Sequence, residues 1–166
     1  KGHVSGAQDA IGICMSGLTR HYYDGHYWPQ RIESCHDEEV LSWLESHLCL
    51  VPMFPRRQGC SVVEGKDITP AKVRDLTESA DRCWDAILSR DLDGFARAFR
   101  ASFDAQVAMF PAMMQPGVQE YIDRWKGCAL AWKMLGAGGG GHLALVVDEI
   151  PAEGVIPVKI RRKGSL

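Results

Sequence analysis

Apolar and polar positions alternate along this chain with two different periods, and the change from one to the other divides it. In the middle third, Val73, Leu76, Ala80, Cys83, Trp84, Ile87 and Leu88 recur in steps of three and four. This spacing predicts one face of an α-helix, with Asp67 or Thr69 as cap and Pro70 in the first turn. A second helix is predicted from about Asp91, with Leu92, Phe95, Phe99, Phe103 and Val107 inward and Arg97, Arg100 and Asp104 outward. Met109, Met113 and Met114 surround Pro111 in the connection that follows. Pro116 then opens a third helix, with Val118, Tyr121, Ile122 and Trp125 inward and Gly127 at its end.

Elsewhere the apolar runs are short and strand-sized. Leu48–Phe54, Leu143–Val147 and Val155–Ile160 read as strands, the first two buried, and Leu130–Leu135 is a short apolar segment. Residues 8–17 form an apolar, glycine-punctuated stretch that suits a short helix. In Leu18–Ile32, aromatic segments flank Asp24-Gly25, the signal for a hairpin or a tight turn. Asp37–Leu44 predicts a further short helix, opened by acidic residues that suit its positive end. Helices and strands mix without a βαβ repeat. The predicted class is therefore α+β: an antiparallel sheet with helices packed mainly on one face.

The chain has 166 residues, 46% of them hydrophobic and 24% charged, which are globular values that exclude whole-chain disorder. Nineteen Lys and Arg against 21 Asp and Glu give a net charge of -2. That balance offers no general electrostatic footprint for nucleic acid or an anionic membrane, and no apolar run nears the ~18 residues of a membrane span. Arg56-Arg57 and the tail Lys159, Arg161, Arg162 and Lys163 read as solvated basic clusters. Six cysteines, at 14, 35, 49, 60, 83 and 128, show no Cys-x-x-Cys pair. They read as free thiols in a reducing, cytoplasmic setting, and no metal site is expected from them.

Two features carry chemistry. Gly136, Ala137, Gly138, Gly139, Gly140 and Gly141 form a run between two apolar segments. Without side chains, backbone N–H groups can approach a phosphate closely and positive φ costs little. The run is neither a Walker A loop, since His142 stands where a lysine would be needed, nor a dinucleotide fingerprint, since a strand follows it. The second feature is Ser5-Gly6-Ala7-Gln8-Asp9, which places a carboxylate among small residues at the mouth of an apolar segment. Such an Asp can take a proton from a ligand hydroxyl or, more simply, favour a helix start.

Taken together, these segments resemble a known family. Lys133-Met134-Leu135-Gly136-Ala137-Gly138-Gly139-Gly140-Gly141 followed by an apolar strand is similar to the third motif of the GHMP kinases, which include galactokinase and the homoserine, mevalonate and phosphomevalonate kinases. Gly6-Ala7-Gln8-Asp9 followed by Gly12 and Gly17 resembles the aspartate-bearing segment of the sugar-kinase branch, especially its heptose-phosphate and fucose kinase-like members. The resemblance implies a ferredoxin-like carboxy-terminal domain over 46–166, preceded by a remnant of the amino-terminal domain over 1–45. It implies transfer of the γ-phosphoryl of ATP, accompanied by Mg²⁺, to a sugar or sugar-phosphate hydroxyl. Asp9 would be the catalytic acid/base, Gly136–Gly141 the nucleotide-phosphate loop, and Gly6, Gln8, Arg20 and Arg56 substrate contacts.

The family carries Ser or Thr at the position of Leu135, and its Pro-x-x-x-Gly-Leu-Gly-Ser-Ser phosphate segment is not found in this chain. The expectation is therefore the carboxy-terminal part of a larger kinase, completed by a missing amino-terminal half or by a second copy in a homodimer. The alternative expectation is a non-catalytic α+β module that acts through self-association or partner binding.

Overall fold

The computed structural model describes residues 7–55, 62–136 and 138–164. The chain divides into two compact units, Lys1–Trp43 with Lys159–Leu166, and Leu44–Val158.

The first unit contains helix α1 (Ala7–Cys14), the strands β1 (Leu18–Tyr22) and β2 (Arg31–Cys35), and the start of α2 (Glu38–His47). β1 and β2 pair antiparallel, with Arg20 opposite Glu33. The expected hairpin about Asp24-Gly25 forms, but its connection is a longer loop over residues 23–30 rather than a tight turn, closed by the Gln30 N–H donating to the Tyr22 carbonyl (2.8 Å). A two-residue type I′ turn needs positive φ at both central positions. Gly25 has it (97°), whereas Asp24 is not among the positive-φ residues. The Asp24 carboxylate turns inward on its own loop and accepts from His26 and Gln30.

α2 opens on Asp37, whose carboxylate accepts the N–H groups of Glu39 (2.9 Å) and Val40 (3.2 Å). Two arginines from the carboxy-terminal basic cluster are structural ties. The Arg161 guanidinium donates to the carbonyls of Ile13 and Met15 at the end of α1 (2.6 and 2.7 Å). Arg162 grips the Glu38 carboxylate with two bonds (2.8 and 2.7 Å), and the Ser42 hydroxyl adds a third (2.8 Å).

The Arg162 guanidinium, and after it the Ser42 hydroxyl, lower the Glu38 carboxyl from its ordinary 4.5 to about 2. A carboxylate with a depressed folded-state pKa adds stability above its unfolded value and loses it as pH falls toward the folded value. Glu38→Gln is thus expected to lower the melting temperature slightly at pH 7 and to flatten its fall between pH 4.5 and 2. Parallel melting curves for the two proteins across that window would contradict the tie.

The second unit is built on a four-stranded antiparallel sheet in the order β4-β5-β3-β6. Its strands are β3 (Leu48–Pro52), β4 (Ala129–Met134), β5 (His142–Val147) and β6 (Ile156–Pro157). β5 is buried along its length after His142, as its unbroken apolar run predicts. Leu143, Leu145 and Val147 share a core with Cys49 and Val51 of β3 and with Ala129 and Met134 of β4.

Against this core pack Phe103 of α4 (Leu92–Met109), Met113 of the 3₁₀ turn Pro111–Met113, and Val118 and Ile122 of α5 (Val118–Trp125). The predicted α+β class with an antiparallel sheet and packed helices is the observed one. The expected strand Val155–Ile160 shrinks to two residues. Pro157 has no N–H to continue a ladder, which confines it to an edge.

α3 (Pro70–Ser89) starts as its sequence predicts. Thr69 is the N-cap and accepts the Lys72 N–H, with Pro70 in the first turn. Its buried face is rotated from the predicted one, since Val73 (45%) and Leu88 (40%) are exposed while Ser79 is fully buried with Trp84, Ala86 and Ile87. The Ser79 hydroxyl donates to the Leu76 carbonyl one turn back (2.8 Å), so it enters the core already satisfied. Asp91 caps α4 by accepting the Gly94 N–H, and α3 and α4 pack as an antiparallel pair, with α4 also against β4. Among the described residues no helix is long and apolar enough to cross a membrane.

Candidate functional site

The glycine run occupies the β4–β5 connection, in the second unit. The chain leaves β4 at Leu135, whose N–H donates to the His142 carbonyl (3.1 Å), and Gly138 N–H turns back onto the Leu135 carbonyl (3.3 Å). At the far end Gly141 N–H donates to the Phe54 carbonyl (2.9 Å), and Met53 N–H donates to the Gly141 carbonyl (2.8 Å). The stretch beyond β3 thus pins the exit of the loop.

Between these anchors Gly138, Gly139, Gly140 and Gly141 all have positive φ, at 74°, 74°, 141° and 89°. Side chains make such backbone costly, so the run must be glycine. Gly138 to Gly140 are buried, and Ala137 lies outside the described residues. Gly138 rests on Met113: a Cβ there would lie 2.5 Å from Met113 Cε and 3.1 Å from its Cβ and Cγ. Among the described residues, no acceptor takes the N–H of Gly139 or Gly140. Consecutive turn-forming N–H groups left without internal partners are the backbone arrangement that accepts an anion.

The other predicted site residues have different surroundings. Gln8 and Asp9 stand in the first turn of α1, in the first unit; Gln8 is exposed, and the Asp9 side chain lies outside the described residues. Gly6 and Arg56 also lie outside them. Arg20, in β1, is bound to Glu33 across the hairpin by two bonds (2.6 and 3.1 Å) and lies over the Tyr22 ring (4.9 Å). Glu33 also accepts from Tyr22 and Arg31. The Arg20 and Tyr22 bonds hold its carboxyl below its ordinary value.

Lys133, just before the loop, points its ammonium at Ser102 of α4 and donates to that hydroxyl. Burial pushes the ammonium's pKa down, with Cys83 of α3 acting the other way. Neither this pairing nor the seating of Gly138 on Met113 carries a sequence signal, since both join residues distant along the chain.

A groove of about 530 Å³ between α3 and α4 is lined by Arg82, Asp85, Ser89, Asp91 and Arg97 among others, but by none of the glycine-loop residues. Its charges are mixed and it does not join the loop chemistry. Among the described residues no group of three His, Cys, Asp or Glu is placed to hold a metal ion, and Cys14, Cys35, Cys49, Cys83 and Cys128 are free thiols.

The second unit has an α+β fold, an antiparallel sheet with packed helices. The chain is similar in structure to a protein solved as "Crystal structure of mevalonate kinase", with a TM-score of 0.53 and 15% sequence identity over 74% of this chain. It spans 38% of the length of that kinase. No family model matches the sequence, and no curated protein matches it.

Proposed function

We propose that the protein is a GHMP-type small-molecule kinase segment that moves the γ-phosphoryl group of ATP to a sugar or sugar-phosphate hydroxyl. The observation that carries the reading is the glycine loop. Four consecutive positive-φ glycines, anchored at both ends and offering the N–H groups of Gly139 and Gly140, sit in a fold shared with a solved mevalonate kinase. The similarity of Lys133–Gly141 to the family's third motif supports the same reading.

In this account the N–H groups of Gly139 and Gly140 hold phosphate oxygens of the nucleotide, while those of Gly138 and Gly141 anchor the loop. Mg²⁺ supplies charge neutralisation across those phosphates when bound. Asp9 accepts the acceptor hydroxyl's proton as the oxygen–phosphorus bond forms and ADP leaves. Gly6 and Gln8 are assigned to the acceptor on the resemblance of their segment to the family's aspartate segment. Arg56 is the guanidinium assigned to an acceptor phosphate, and Arg20 reaches one only by exchanging its Glu33 partner. We assign the protein a cytoplasmic place of action on the scattered cysteine spacing of the sequence.

A second reading, self-association without catalysis, is favoured by β4 lying at the edge of its sheet with Leu130 exposed. Acceptor-dependent ADP release from Mg-ATP, measured over a panel of hexoses and heptose phosphates, separates the two. ADP formed only when a particular acceptor is present is the expected result. No ADP above background with any acceptor, from a protein whose mass rises with concentration, would replace the kinase with the self-associating module.

A further inference from the structure

We propose that Lys133 is a positioning residue for the glycine loop, holding the β4 end of that hairpin against α4 through the Ser102 hydroxyl. The proposal concerns the shape of the loop; its consequence for phosphate binding rests on the kinase reading above.

Lys133 pairs with Ala144 of β5 and lies two residues before Leu135, where the chain leaves the sheet. Its Nζ donates to Ser102 Oγ, and Ser102 is only 6% exposed on α4. Among the described residues no carboxylate pairs with this ammonium. The titratable group beside it is Cys83 on α3, whose own thiol is pushed up to about 11, first by burial.

A largely desolvated ammonium with one neutral acceptor is an expensive way to fill space. An unbranched apolar side chain of similar length would pack there at least as favourably. What the ammonium adds is direction, a bond from the last turn of strand before the loop to a fixed point on the helix.

The turn that follows this helix supports the loop a second time. α4 runs through Phe110 into the 3₁₀ turn, and Met113 of that turn seats Gly138. Strand end and loop are thus tied at two points to α4 and the turn that directly follows it, Ser102 to Lys133 and Met113 to Gly138. The intervening backbone bonds of Leu135 and Gly138 close between them. With both points fixed, the N–H groups of Gly139 and Gly140 have a set direction before any ligand arrives, which is how a backbone site is preorganised.

The test is amide hydrogen exchange on the full chain, read at Leu135, Gly138 and Gly141, whose N–H groups have acceptors, and at Leu145 and Val147 as the sheet reference. In Lys133→Met the expected result is an unchanged or raised melting temperature and unchanged exchange in β5. Exchange at the three loop amides should be at least about tenfold faster. Lys133→Arg, which keeps a donor, should restore most of the protection. Ser102→Ala should reproduce the Met effect, and the double variant should add nothing to either single one. A merely structural lysine would instead lower the melting temperature and speed exchange across the whole sheet.

Loop exchange equal to wild type in Lys133→Met, or a uniform rise throughout the unit, would overturn the proposal. Should Lys133→Met fail to fold, Ser102→Ala alone decides the matter by the same readout. Mg-ATP titration of the same proteins tests the link to function. Weaker binding in Lys133→Met than in wild type is expected. A wild-type protein that binds no nucleotide would remove the kinase reading while leaving the exchange result to stand by itself.

Discussion

Asp9→Asn is expected to lower acceptor-dependent phosphoryl transfer by about 100- to 10,000-fold, or ~3–5 kcal/mol on the barrier, while leaving the protein folded. The size of the effect separates the two roles open to this residue. Asp9 is in the first turn of α1, where a carboxylate interacts favourably with the positive end of the helix whatever its chemistry. Neutralising such a charge costs about 0.3–1 kcal/mol of stability. A residue that only favours its helix would shift the melting temperature slightly and leave turnover alone. A residue that takes the hydroxyl proton would do the reverse. Steady-state kinetics of ADP release and a thermal melt on the same preparation give both numbers. Turnover in Asp9→Asn equal to wild type would remove the residue from the mechanism.

Gly138→Val is expected to be the most destabilising single substitution in the loop. Two costs combine at this position. Backbone at φ 74° is left-handed, which disfavours any L side chain by about 1–2 kcal/mol and a β-branched one by more. A Cβ would also meet Met113, a side chain only 1% exposed, at 2.5 Å. Overpacking of that kind adds about 1–3 kcal/mol.

Gly136 supplies the control. Its φ is 60°, but a Cβ there meets nothing within 4 Å, so Gly136→Ala bears the backbone cost alone. Urea denaturation should therefore rank Gly138→Val well below Gly136→Ala in stability. Met113→Ala in the Gly138→Val background should recover part of the difference, because it opens the space the new side chain needs. Equal losses for the two glycines would mean that the loop is not seated on Met113.

These substitutions mark the limit of what local sequence carries. Thr69 before Pro70 and the acidic cap at Asp91 announce their helices because caps act on the nearest turn. β5 announces itself because a strand buried on both faces needs an unbroken apolar run. The face of α3 was legible in part: Trp84 and Ile87 are buried as their spacing predicts, but Ser79 was not, since it satisfies its hydroxyl on its own helix and so behaves as a small apolar residue. Nor was the loop over residues 23–30: Asp-Gly signals a tight turn, but Asp24 does not take the left-handed conformation that turn requires.

The candidate site divides in the same way. That residues 136–141 form a loop able to present N–H groups follows from glycine chemistry alone. The supports of that loop do not. Met113 reads only as part of a connection and Ser102 carries no signal of its own; only the packing of α4 and of the turn after it brings them to Lys133 and Gly138.

Calorimetric titration of the wild-type chain with Mg-ATP tests the central claim most directly, that the glycine loop is a nucleotide-phosphate site. Saturable one-to-one binding is expected, lost in a Gly139→Val protein that still melts cooperatively. A cooperatively melting wild-type chain that takes up no Mg-ATP, or a Gly139→Val protein that binds it unchanged, would contradict it.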